Sequence, residues 1–221
     1  MGEITSITPQ IKDKRRCNIF VDGKFYCGML LETTVKHRLK VGRSVTEEEL
    51  SSIQLDSEKQ TALDKALTHI TTSKKTEKQI RDFLKSKGYL TAVSDFVIEK
   101  MKEYGFIDDY DYAKQYANFA GAKKGKRLIR MELKAKGVSE TEIDKALSET
   151  DEETELNAAK TILEKYMKNK TADKETLIKA CKYLLGKGFD YETAKSAITL
   201  FGEIDEEYGQ VLSERVYLRT I

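Results

Sequence analysis

A Lys-Gly pair closes the same apolar pattern three times along the chain. The pairs are Lys87-Gly88, Lys136-Gly137 and Lys187-Gly188, at intervals of 49 and 51 residues. A leucine stands four residues before each glycine (Leu84, Leu133, Leu184), and Ile80, Ile129 or Ala180 stands eight before. Ile98, Leu147 or Ile198 follows ten residues after. Side chains four and eight apart lie on one face of an α-helix, and a glycine past the last turn supplies its left-handed stop. A helix-stop-helix unit at a fixed period specifies a tandem helical array, and such arrays usually bind rather than catalyse. The pattern predicts a mainly α fold of tandem three-helix repeats forming an elongated array.

The first 50 or so residues differ. Ile19-Phe20-Val21 and Phe25-Tyr26-Cys27 flank Asp22-Gly23, which suits a two-residue turn with positive φ at both central positions. In that register Phe20 faces Phe25, Asn18 faces Cys27, and Cys17 and Cys27 point to opposite faces. Residues Ile4 to Ile11 suggest a further strand interrupted by Pro9, and Thr33 to Lys40 a helix. Thr46-Glu-Glu-Glu49 reads as a capping box opening another short helix, as do Thr76-x-x-Gln79 and Ser139-x-x-Glu142 further on. The expected organisation is a β-hairpin-containing cap over 1–56, then repeats over 57–108, 109–150 and 151–205. Residues 206–221 are expected to form a C-terminal helix, either a cap or the start of an incomplete fourth repeat.

Net charge is close to neutral at +2, so the sum names no partner. Its distribution is more telling. Between Lys123 and Lys136 seven cations meet one acid, Glu132, whereas Glu140 to Glu155 holds eight acids and one lysine. Successive helical residues lie about 100° apart, so Arg127, Arg130 and Lys134 share a face away from Ile129 and Leu133. Lys78, Arg81 and Lys85 occupy the same three positions before Gly88. In the third repeat those positions are Ile178, Cys181 and Leu185, a side expected to be buried, under the 206–221 helix for instance. A row of one sign costs self-repulsion, so the recurrence argues for a contact surface over a merely solvated face. Lys123, Lys124 and Lys126 extend it.

Nothing marks an enzyme. His37 and His69 are the only histidines, and no phosphate loop, nucleophile elbow or metal-ligand spacing is present. No catalytic, cofactor-binding or metal residue is expected. Asp108-Asp109 reads as the N-cap of the next helix rather than an acid/base pair. Three unpaired-looking cysteines and no long apolar run suggest reduced thiols in a cytoplasmic protein with no membrane contact. Leu133 to Ile143 also resembles a helix-turn-helix, but its second helix would bring Glu140, Glu142 and Asp144 towards phosphates.

Two segments resemble signatures of the RecX family, the bacterial regulators of the RecA recombinase. One is Gly105-Phe-Ile-Asp-Asp-Tyr-Asp-Tyr-Ala-Lys-Gln-Tyr116; the other is Gly125-Lys-Arg-Leu-Ile-Arg-Met-Glu-Leu-Lys-Ala-Lys-Gly-Val138. Phe106 stands where leucine is commoner in that family. The hairpin-bearing N-terminus is similar to the extension of its Gram-positive branch. The resemblance implies a non-enzymatic monomer that lodges in the groove of the RecA filament on single-stranded DNA. It would limit strand exchange, ATP hydrolysis and coprotease activity, with weak binding to DNA alone. On this reading Lys78, Arg81, Lys85, Lys123, Lys124, Lys126, Arg127, Arg130 and Lys134 are the candidate contacts. Tyr112 and Tyr116 are expected to pack between repeats. The alternatives are a helix-turn-helix DNA reader and a generic helical-repeat scaffold.

Overall fold

The computed structural model describes residues 1–202. Backbone contacts divide it into two units: Met1–Lys75 with Gln79–Ile107, and Thr76–Lys78 with the chain from Asp108 onward. In the first unit, β1 (Gly2–Pro9), β2 (Arg16–Val21), β3 (Lys24–Leu30) and the short β4 (Ser44–Val45) pair antiparallel in the order β3-β2-β1-β4. Asp22 and Gly23 turn between β2 and β3 with φ of 48° and 76°. Phe20 faces Phe25 as the turn requires, but the register then shifts, so Ile19 faces Cys27 and Cys17 faces Met29. The bulge leaves Tyr26 as the extra residue and turns Cys27 inward. Cys17 and Cys27 therefore share the buried face with Ile4, Ile19 and Met29, correcting the opposite-face expectation.

Helix α1 (Leu31–Lys36) follows the sheet, and α2 (Glu47–Ile70) runs unbroken for 24 residues. Thr46 caps α2 by accepting the Glu49 amide. The segment holds neither glycine nor proline, so nothing stops it at the boundary expected near residue 56. Its first half lays Leu50 and Ile53 on the sheet core, and Ser57 Oγ accepts the Leu30 amide at 2.8 Å. Its second half sends Ala62 and Ala66 into a separate core with α3 (Glu77–Ser86) and α4 (Thr91–Glu103).

The second unit holds two further three-helix groups. One is α5 (Asp109–Gly121), α6 (Lys126–Ala135) and α7 (Glu140–Ser148); the other is α8 (Glu152–Met167), α9 (Lys174–Gly186) and α10 (Tyr191–Ile198). The three leucines before the glycine stops, Leu84, Leu133 and Leu184, are fully buried. Gly88, Gly137 and Gly188 turn the chain with φ of 81°, 88° and 92°. Asp108 caps α5, and Ser139 and Glu142 form a reciprocal capping box on α7. Cys181 and Leu185 lie inside the third core and Ile178 packs against it. The helix expected over 206–221 lies outside the described residues.

Candidate functional site

The cations of helix α6 have two different fates, decided by which way each faces. Arg130 lies 3.1 Å from Glu140 and 2.6 Å from Asp144, and Lys134 lies 2.6 Å from Glu140. The row has no acid of its own, but the first turns of α7 supply carboxylates across the glycine corner. Hydrogen bonds from Lys134 and then Arg130 hold the Glu140 carboxyl below the usual range. The self-repulsion expected of an unmixed row is thus relieved in cis. These pairs are half-exposed to exposed, where solvent screening leaves an ion pair little net worth.

Arg127 faces the neighbouring three-helix group. Its guanidinium donates to Leu185 O at 2.5 Å, at the carbonyl end of α9, and its Nε is buried with no hydrogen-bond partner among the described residues. Its own amide donates to Gly188 O at 3.1 Å, and the Gly125 amide to Lys187 O at 3.0 Å. The amide between them, Lys126 N, donates to Glu155 Oε1 at 3.0 Å. Three of the N–H groups that a helix start leaves without intrahelical partners are therefore taken up by the third group. The approach is close enough that a Cβ on Gly125 would overlap the Gly188 backbone, and one on Gly188 would overlap Leu128. Buried Glu155, negative at the positive end of α6, also lies 3.5 Å from Lys126 Nζ.

Residues Thr76–Lys78 make equivalent bonds within this unit. Lys78 Nζ donates to Ala135 O at 3.1 Å, Thr76 Oγ1 to Lys136 O at 2.7 Å, and the Glu77 amide to Asp109 Oδ1 at 2.8 Å. Lys78 and Arg127, read from the sequence as contact residues, thus cap helix carbonyls. Glu155 and Gly125 were not singled out by sequence reasoning. Their signal was a buried-type position inside an acidic block and a glycine at a helix start, neither of which is distinctive without the partner.

The other candidates divide similarly. Arg81 pairs with Asp95 at 2.6 Å. Lys124 Nζ holds both oxygens of Glu132 at 2.5 and 2.7 Å, and Tyr116 donates to the same carboxylate at 2.6 Å. Tyr116 and Tyr112 stack against each other and on their own group's core rather than between groups. Lys124 and Lys126 line a cavity of about 410 Å³ beside Glu155. Lys123 lies over the exposed Phe119 ring at 5.8 Å, and Lys85 is exposed with no ion pair among the described residues. No group of three His, Cys, Asp or Glu residues is placed to hold a metal, and no helix is long and apolar enough to cross a membrane, among the described residues.

Comparison with known proteins decides the family. The regulatory protein RecX of Clostridium tetani is 33% identical over 202 residues, covering 90% of this chain and 94% of its own. The chain belongs to the RecX family. The RecX regulatory protein of Listeria monocytogenes is 32% identical, over 89% of this chain and 75% of its own. The family model for the RecX N-terminal domain matches residues 2–46, and that for the second three-helix domain of RecX matches 108–147. A crystal structure of regulatory protein RecX superposes with a TM-score of 0.69 and 26% identity, over 87% of this chain and 97% of that one. RecX from Lactobacillus salivarius has the same fold, with a TM-score of 0.62, 23% identity, and coverage of 65% of this chain and 96% of that one.

Proposed function

We propose that this RecX-family regulatory protein acts on the RecA recombinase in the cytoplasm. It binds the RecA–DNA filament in its groove as a monomer and restrains strand exchange, ATP hydrolysis and coprotease activity, without chemistry of its own. The observation that carries the reading is identity to curated RecX proteins along nearly the full length, supported by the RecX three-helix architecture. Lys85, Lys123, Arg130 and Lys134 are the cations best suited to meet an acidic partner. Lys85 and Lys123 are exposed, and the Arg130 and Lys134 pairs with Glu140 and Asp144 exchange for phosphate or carboxylate at small cost. Lys78 and Arg127 are left out because they hold helix carbonyls. A helix-turn-helix reader fits less well, because α7 carries the acids that neutralise α6.

The test is DNA-dependent ATP hydrolysis by RecA with increasing amounts of the protein. Wild type is expected to inhibit. Arg130→Glu with Lys134→Glu is expected to raise the half-inhibitory concentration about tenfold, equivalent to roughly 1.4 kcal/mol, with unchanged helical circular dichroism. Undiminished inhibition by that variant removes the α6 face from the interface.

A further inference from the structure

Each three-helix group gives the lysine of its Lys-Gly pair the same neighbour, an aromatic ring. Lys87 lies 5.5 Å from the Phe83 centroid, Lys136 5.5 Å from Tyr116, and Lys187 5.3 Å from Tyr183. In the first group His69 stacks on Phe83 at 4.1 Å with 4° between planes, and in the third Tyr166 stacks on Tyr183 at 4.5 Å. In the second the ring five residues before glycine is replaced by Glu132, which Lys124 and Tyr116 occupy. The corner is therefore part of the repeat. In the first, the rings line an open groove of about 920 Å³ together with residues from the start of β2.

We propose that this groove, between the Arg15–Arg16 approach to β2 and helices α2 and α3, binds single-stranded nucleic acid. Unstacked bases would lie against the His69–Phe83 pair and Tyr89, and phosphates against Lys65 and Lys87. Binding of this kind combines ring platforms with a cationic track and tolerates any sequence. Burial, then the Lys75 and Lys87 charges, pushes His69 below its usual value, so at neutral pH it is an uncharged ring. Lys65 lies 5.2 Å from the Tyr89 centroid, and neither it nor Lys87 forms an ion pair among the described residues. Three acids also line the groove, and each has a partner inside the fold: Asp13 with Arg15 at 3.3 Å, Glu58 with Gln54 at 3.4 Å, and Asp64 with Gln60 at 3.3 Å. Arg16 is held by Thr61 and by Gly28 O, which makes it a wall of the groove rather than a mobile contact. The proposal deepens the regulatory reading by naming where a strand would sit, and its test contains no recombinase.

The full chain is titrated by fluorescence anisotropy into labelled oligo(dT) and into an abasic strand of equal length, at two salt concentrations. Lys65→Glu with Lys87→Glu is expected to weaken oligo(dT) binding at least about tenfold and to lower the salt slope by about 1.4, roughly 0.7 per phosphate contact. Lys165→Glu with Lys182→Glu, on exposed positions of α8 and α9, is expected to change it less than about twofold. His69→Ala should weaken oligo(dT) about five- to tenfold, the loss of one stacking surface, and leave the abasic strand unaffected. Thermal melting checks that each variant folds. The groove is overturned if its charge reversal costs no more than the control, if His69→Ala affects both strands equally, or if oligo-glutamate displaces the DNA at lower concentration than DNA itself. Any of these leaves inhibition of RecA to be judged separately, and absent inhibition leaves the groove standing.

Discussion

Glu155 shows how much a single side chain can be asked to do when it is buried. It satisfies the Lys126 amide at the start of α6 from a position on α8. Glu155→Ala leaves that donor without a partner, and urea unfolding should register a loss of about 1–3 kcal/mol. Glu132 carries a pH signature instead. Burial raises its carboxyl, but hydrogen bonds from Lys124 and Tyr116 outweigh that and hold it below the usual 4.5. A carboxyl lowered on folding adds stability above its unfolded value and loses it as pH falls through the folded one. Melting temperature should therefore drop on acidification below about 4.5, and Glu132→Gln should flatten that part of the profile. The cysteines give a third expectation. All three are buried and free, and burial pushes Cys27 and Cys181 up to about 11. A thiol reagent at neutral pH should find none in the native chain and all of them once it is unfolded.

At the scale of the helices, the glycine stops were legible and their partners were not. Leucine at minus four and glycine at zero located α3, α6 and α9, because period and stop are local properties. The β2–β3 turn was legible for the same reason, but not the bulge after Phe20, since register beyond a turn answers to the core. The ion pairs of Arg130 and Lys134 were hidden because their acids belong to α7, and the spacing along α6 says nothing about its neighbour. The glycines themselves divide by what they touch. Gly88 has open space around its missing side chain, so Gly88→Ala meets only the left-handed penalty of about 1–2 kcal/mol. At Gly188 the new methyl also collides with Leu128, adding an overpacking cost of about 1–3 kcal/mol. Calorimetry of the two variants should rank them in that order.

For the molecule as a whole, the family was readable because its signatures fall on the corners that the repeat needs. Arg127 and Gly125 lie in one of those signatures, and the structure gives them work inside the protein. The acids that answer the cation rows were the least legible part. Cation rows predict a docking face only when nothing in the fold answers them, and here Glu140, Asp144, Glu132 and Asp95 do. With Arg130 and Lys134 already paired, inhibition through the α6 face should show modest salt sensitivity, shifting less between two ionic strengths than binding at the proposed groove.

The seam between the second and third groups is written largely in main-chain atoms: Gly125 N to Lys187 O, and Arg127 N to Gly188 O. Peptide groups are common to every residue, so such a joint does not care what decorates the outside of either block. The exterior of either block can therefore change while the stack stays in register, provided that two bare α-carbons, the Arg127 guanidinium and the Glu155 carboxylate are kept where the blocks touch.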